Sequence, residues 1–78
     1  MEEKELTFGE KLAGITFNPS GDEKVTRVKT LCAELADILF DDYDETERTG
    51  IKTTLFHHAV GEIINAQMNV VKVLTLKY

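Results

Sequence analysis

The chain lacks the staples on which most small domains rely. Its 78 residues contain one cysteine, Cys32, so an internal disulfide framework is excluded. No pair of CxxC or HxxxH motifs offers a metal staple either, and neither metal nor cofactor is expected. Tryptophan is absent and Pro19 is the single proline. No apolar run approaches the roughly 18 residues of a membrane span. The start, Met1-Glu2-Glu3-Lys4-Glu5, is acidic and has no apolar signal segment, so a cytoplasmic protein without membrane association is expected. Net charge is −5. That balance argues against duplex nucleic acid, which needs a basic face. It leaves room for a small anion held by a few lysines and backbone amides. A chain this short buries little core of its own. Stability is therefore expected from well-packed helices or from self-association.

What is present is concentrated between Gly14 and Val28, which read GITFNPSGDEKVTRV. The β-branched pair Ile15-Thr16 and Phe17 lead into the turn Asn18-Pro19-Ser20-Gly21. A long amphipathic helix follows. Pro19 disfavours helix at Asn18 and stiffens the turn. Ser20 with Glu23 three residues on has the spacing of a capping box, which predicts Ser20 as N-cap. Asp22 and Glu23 add negative charge at the positive helix end. The loop is either a structural start signal or an anion cradle.

The pattern predicts an all-α fold: an antiparallel helical hairpin in a single domain, 1–78, with a short N-terminal arm. The arm covers 1–13, with Phe8 as a packing point; the spacing of Leu6, Phe8 and Leu12 permits a short helix there, which Gly9 and Gly14 weaken. The first long helix is expected over 21–40. Val25, Val28, Cys32, Leu35 and Leu39 step by three and four, a heptad seam, with Leu31, Ala36 and Ile38 widening it. Lys24, Arg27, Lys29, Thr30 and Glu34 face elsewhere. The acids Asp41, Asp42, Asp44, Glu45 and Glu47 are expected in the connection, as a solvated loop or helix start. The second helix is expected over 46–74, or from Thr49, with Asp44 or Thr46 as its cap, and is about 40 Å long. It carries two apolar stripes. Ile51, Leu55, Ala59, Ile63, Ala66 and Val70 form one, which the partner helix covers. Phe56, Val60, Ile64, Gln67 and Val71 form the other, which calls for a neighbouring chain.

Chemistry-bearing clusters are few. His57 and His58 are adjacent and point to different sides; one is expected to pack and the other to face water. The acids sit in no apolar pocket that raises a carboxyl pKa for acid–base work. No nucleophile–base pair stands out, so an enzyme is not expected. Lys24, Arg27 and Lys29 lie within two turns of the first long helix start, where free amides and the helix dipole attract phosphate. Spacing alone favours ordinary solvated lysines over that role. Gln67 sits in the apolar part of the second helix, either fixing register across a subunit boundary or half exposed.

The residues Gly14 to Asp22, then Val25, Val28-Lys29 and Ala33-Glu34-Leu35-Ala36-Asp37, resemble a phage family of small helical-hairpin proteins. These are the anti-CBASS sponges, with related hairpins in anti-Thoeris sponges, which sequester cyclic nucleotide signals. Ala66-Gln67-Met68, Val70-Val71-Lys72 and Leu74-Thr75 resemble the family's second-helix signature. The resemblance covers roughly 6–76. It implies a homo-hexamer that binds cyclic dinucleotides such as 3',3'-cGAMP between protomers, with cyclic trinucleotides in separate pockets of some members. The ligand is held and not cleaved, so an antiviral effector stays off. Carried over, Phe17 and Asn18, Pro19, Ser20 and Gly21 match the ligand-facing turn, and Lys29 matches the basic position on the first long helix. Phe8 joins them as a candidate contact. Arg48 or Lys52 matches a family arginine of the second pocket. Asn69 stands where the family has Trp, and Gly61 and Ile64 where it has Thr and Glu. A helical oligomer that binds a host protein is the alternative function.

Overall fold

The computed structural model describes residues 5–76, so the first four residues of the expected arm lie outside it. Three helices follow one another: α1 (Phe8–Ala13), α2 (Glu23–Glu45) and α3 (Gly50–Thr75). The described residues include no strand. None of the helices is long and apolar enough to cross a membrane.

The arm contains a helix because its ends are capped. The Glu10 amide donates to Thr7 Oγ1 at 3.1 Å, and the Thr7 amide donates to Glu10 Oε1 at 2.9 Å. This reciprocal capping box opens α1. Gly14, at φ 65°, closes it in the left-handed conformation that glycine adopts freely. Gly9 serves close packing. A Cβ at Gly9 would collide with the Ala33 carbonyl. Its amide donates to Asp37 Oδ1 at 2.6 Å, and Thr7 Oγ1 donates to Asp37 Oδ2 at 2.7 Å. Asp37 therefore ties both the cap and the first turn of α1 to α2.

That close approach moves the core line of α2. The buried residues are Val25, Lys29, Ala33 and Ala36, whereas Leu31, Leu35 and Ile38 are exposed. The expected seam of Val25, Val28, Cys32, Leu35 and Leu39 is thus only partly buried. Small residues face α1, because only they admit its backbone. Lys29, expected to face elsewhere, is inside.

α2 also runs five residues past the expected end at Phe40, through the acids, to Glu45. Tyr43 is the reason. Its ring stacks on Phe56 at 4.1 Å between centroids, and its hydroxyl lies 3.1 Å from Thr53 Oγ1. The acids beside it are offset by cations: Asp44 pairs with Arg48 at 2.6 Å and Asp42 with Lys52 at 2.7 Å. Thr46 is the C-cap of α2, and Thr49 caps α3 by accepting from the Lys52 amide at 3.1 Å. The connection is only 46–49, so α3 starts at Gly50, beside the later of the two expected starts, and its cap is Thr49, not Asp44 or Thr46.

The two stripes of α3 partly exchange roles. Phe56 is buried, with Val60, Gln67 and Val71 half-buried and Ile64 exposed, so most of the stripe expected to face outward packs inward, while Ala59 and Ile63 of the other stripe stay half-buried. Ile51 is 76% exposed and Leu55 62%. Phe56 decides this, since it completes an aromatic cluster with Tyr43 and with Phe8, whose ring stacks on Phe40 at 4.5 Å. Gln67 secures the far half by donating to the Ala13 carbonyl at 2.8 Å within the same chain.

Candidate functional site

The loop between α1 and α2 is built from two turns. The Phe17 amide donates to the Gly14 carbonyl at 2.9 Å, and the Gly21 amide to the Asn18 carbonyl at 3.2 Å. Pro19 occupies the second position of the latter turn, where its fixed φ fits. Gly21 has φ 67°, so a side chain there would be strained.

Asn18 is the hub. Its amide nitrogen donates to the Asp22 carbonyl at 3.0 Å and to Thr26 Oγ1 at 2.8 Å, and its oxygen accepts from Ser20 Oγ at 2.6 Å. Ser20 is not the N-cap. Asp22 caps α2 by accepting from the Lys24 amide at 2.8 Å, and Ser20 Oγ accepts from the Asp22 amide at 3.2 Å. Asp22 stands two residues nearer the helix mouth and its longer side chain reaches the Lys24 amide, while Ser20 is drawn back to Asn18. Ser20 and Glu23 therefore form no capping box.

Lys29 lies beneath this loop and is only 8% exposed. Its ammonium donates to the Phe17 carbonyl, and to the Gly14 carbonyl at 3.3 Å. It also sits 5.3 Å from the centroid of the Phe17 ring, a cation–π distance. Phe17 as a whole is 68% exposed. Phe17, Asn18, Pro19, Ser20, Val25, Lys29, Val71 and Thr75 together line one hollow of about 280 Å³. Its walls are apolar, its single charged side chain is cationic, and no carboxylate borders it.

Five of the expected contact residues, Phe17, Asn18, Pro19, Ser20 and Lys29, thus surround one space. Gly21 shapes the turn without lining it. Phe8 is elsewhere, between Phe40 and Phe56. Val71 and Thr75 complete the hollow from α3; sequence placed Val71 in a packing stripe and Thr75 in the second-helix signature, and nothing in their spacing marked a shared wall with Phe17.

A second, larger hollow of about 460 Å³ opens between the end of α2 and the start of α3, lined by Tyr43, Ile51, Lys52, Leu55 and Phe56 among others. Lys52 borders it but is engaged by Asp42 and Thr46. Arg48 is folded over the Tyr43 ring at 4.8 Å and paired with Asp44. His57 and His58 are both exposed, so neither packs inside; His57 leans edge-on to Phe56 at 5.5 Å and His58 lies 4.0 Å from Glu62. Burial pushes the Cys32 thiol up, which keeps it protonated near neutrality. Among the described residues, no three His, Cys, Asp or Glu side chains are grouped as a metal ion requires. No protein-family profile, curated protein or solved structure matches this chain.

Proposed function

We propose that this protein is a non-enzymatic sponge for cyclic oligonucleotide messengers, encoded by a phage and acting in the host cytoplasm against CBASS-type signalling. One observation supports the reading above others: five of the seven expected ligand contacts border a single hollow, and its one charge is positive in a protein of net charge −5. An exposed aromatic ring beside a cation suits a nucleotide. The Phe17 face stacks a base, worth about 1–3 kcal/mol, and the Lys29 ammonium has a third N–H for a phosphate oxygen. Only the pocket has to be positive, so the acidic remainder is no obstacle.

The hollow is smaller than the roughly 300–1,000 Å³ of ordinary ligand sites. A cyclic dinucleotide has two similar halves, and a two-fold interface presents each residue twice. The working form proposed is therefore an antiparallel helical hairpin assembled as a homo-oligomer, a hexamer by resemblance. Cyclic trinucleotides would occupy the second region near Lys52 and Arg48.

The test is retention followed by release. The protein is mixed with a cyclic dinucleotide, separated from free ligand, and denatured by heat. Intact ligand returning to solution is expected. Altered ligand would replace the sponge with an enzyme. Failure to retain any ligand would favour the adaptor that binds a host protein.

A further inference from the structure

We infer that a second copy of this chain packs on the face that carries Leu31, Leu35 and Leu39 of α2 and Ile51, Leu55 and Ala59 of α3, seated on the hollow between those two rows. The inference rests on the assembly proposed above and gives it a surface. It is independent of which nucleotide is held.

The first observation is thickness. The chain measures 46 × 38 × 12 Å along its principal axes. Two stacked layers of helices, with axes about 8–10 Å apart and Cα atoms about 2.3 Å from each axis, occupy about 13–15 Å. The three helices therefore lie side by side in one layer. Domains bury their apolar surface between two packed layers, and this chain supplies one. Neighbours within a layer cover the flanks of a helix and leave its broad faces open.

The second observation is what an open face holds. Leu31, Leu35 and Leu39 recur every four residues on α2, and Ile51, Leu55 and Ala59 do so on α3, so each set forms a ridge. Leu39, Ile51, Leu55 and Ala59 all border the 460 Å³ hollow, which puts both ridges on one face with a groove between them. Such a groove fits the ridge of another helix.

Charge and area decide whose helix it is. The charged residues lining the hollow are Asp42 and Lys52, and they pair with each other at 2.7 Å. The seat therefore carries no net charge. It neither attracts a charged partner nor repels a copy of an acidic chain. A face with its own ridges and groove is self-complementary, as a two-fold contact requires. The chain also carries about 1,400 Å² more accessible surface than a compact monomer of its mass, whereas one partner's share of a standard interface is about 800 Å². A cyclic trinucleotide near Lys52 and Arg48 meets the charged rim; the apolar floor is left to the second copy.

Hydroxyl-radical footprinting of the full chain at low and high micromolar concentration tests this, with light scattering following the mass. As the mass rises, oxidation of Leu35, Leu39 and Leu55 is expected to fall severalfold. Leu35→Gln and Leu55→Gln change exposed residues, so circular dichroism should stay helical, and each should weaken association about tenfold or more. A monomer at every concentration overturns the inference and the assembly, while cyclic dinucleotide retained by that monomer would leave the sponge standing. An assembly indifferent to both variants overturns the choice of face alone. Protection of Leu39 and Leu55 that arises only with added cyclic trinucleotide, or only in cell extract, gives the hollow to that occupant and overturns the inference.

Discussion

The Lys29 ammonium donates to the main-chain carbonyl of Phe17 and lies under the ring of the same residue. One cation thereby fixes both the backbone and the face of the most exposed aromatic in the loop. Lys29→Met keeps the aliphatic stem and deletes the donors. Two carbonyls then lose a charged partner, at a cost of about 1–3 kcal/mol. Urea denaturation is expected to show that loss. Lys29→Glu should cost more, since it sets a carboxylate against carbonyl oxygens. In the folded Lys29→Met protein, cyclic dinucleotide affinity should fall about thirtyfold. Affinity near that of the wild type would remove Lys29 from the site and turn attention to Lys24 or Arg27.

The helix cap separates Asp22 from Ser20. Asp22 accepts from the Lys24 amide, whereas Ser20 bonds within the exposed turn. Asp22→Ala is expected to lower stability by about 1 kcal/mol. Ser20→Ala should cost less. The opposite ranking in thermal melts would return the N-cap to Ser20.

Gly9 is the tightest point between α1 and α2. A methyl group there meets the Ala33 carbonyl and the Asp37 carboxylate. Gly9→Ala gains about 1 kcal/mol of helix propensity, yet overpacking a tight contact typically costs 1–3 kcal/mol or more. The clash is with backbone, which cannot swing aside, so net destabilisation is expected. A melting temperature equal to or above that of the wild type would show that α1 sits farther from α2.

Helix existence was legible because heptad spacing survives even where the buried line differs. The arm was harder to read. Gly9 and Gly14 look like breakers, but one is a contact point and the other a C-cap, and Thr7-x-x-Glu10 is the signal that marks the helix. The depth of Lys29 was hidden because a lysine's partners here are carbonyls, which every residue carries. The choice between the stripes of α3 turned on Phe56 meeting Tyr43, a pairing between residues 13 apart that periodicity within one helix cannot reveal. The loop residues of the candidate site were legible as a continuous motif. Their α3 wall, Val71 and Thr75, lies some 50 residues away and emerges only when the chain folds.

The remaining apolar surface is expected to be covered by further copies of the chain. Its accessible surface is 6206 Å², against about 4,800 Å² for a compact monomer of this mass. The radius of gyration is 14.3 Å, where a globule of this length gives about 11.5 Å. The excess surface, about 1,400 Å², is more than the roughly 800 Å² that each partner contributes to a standard interface. It lies on both long helices. Leu31, Leu35 and Ile38 recur at helical spacing on α2, while Ile51, Leu55, Met68 and Val73 are open on α3. Exposed apolar residues along both helices favour an assembly larger than a dimer. Light scattering at micromolar concentration is expected to give such a mass, and Leu35→Glu or Leu55→Glu should reduce it while circular dichroism stays helical. A folded wild-type monomer would sink the assembly, and with it the proposal that two copies enclose one ligand.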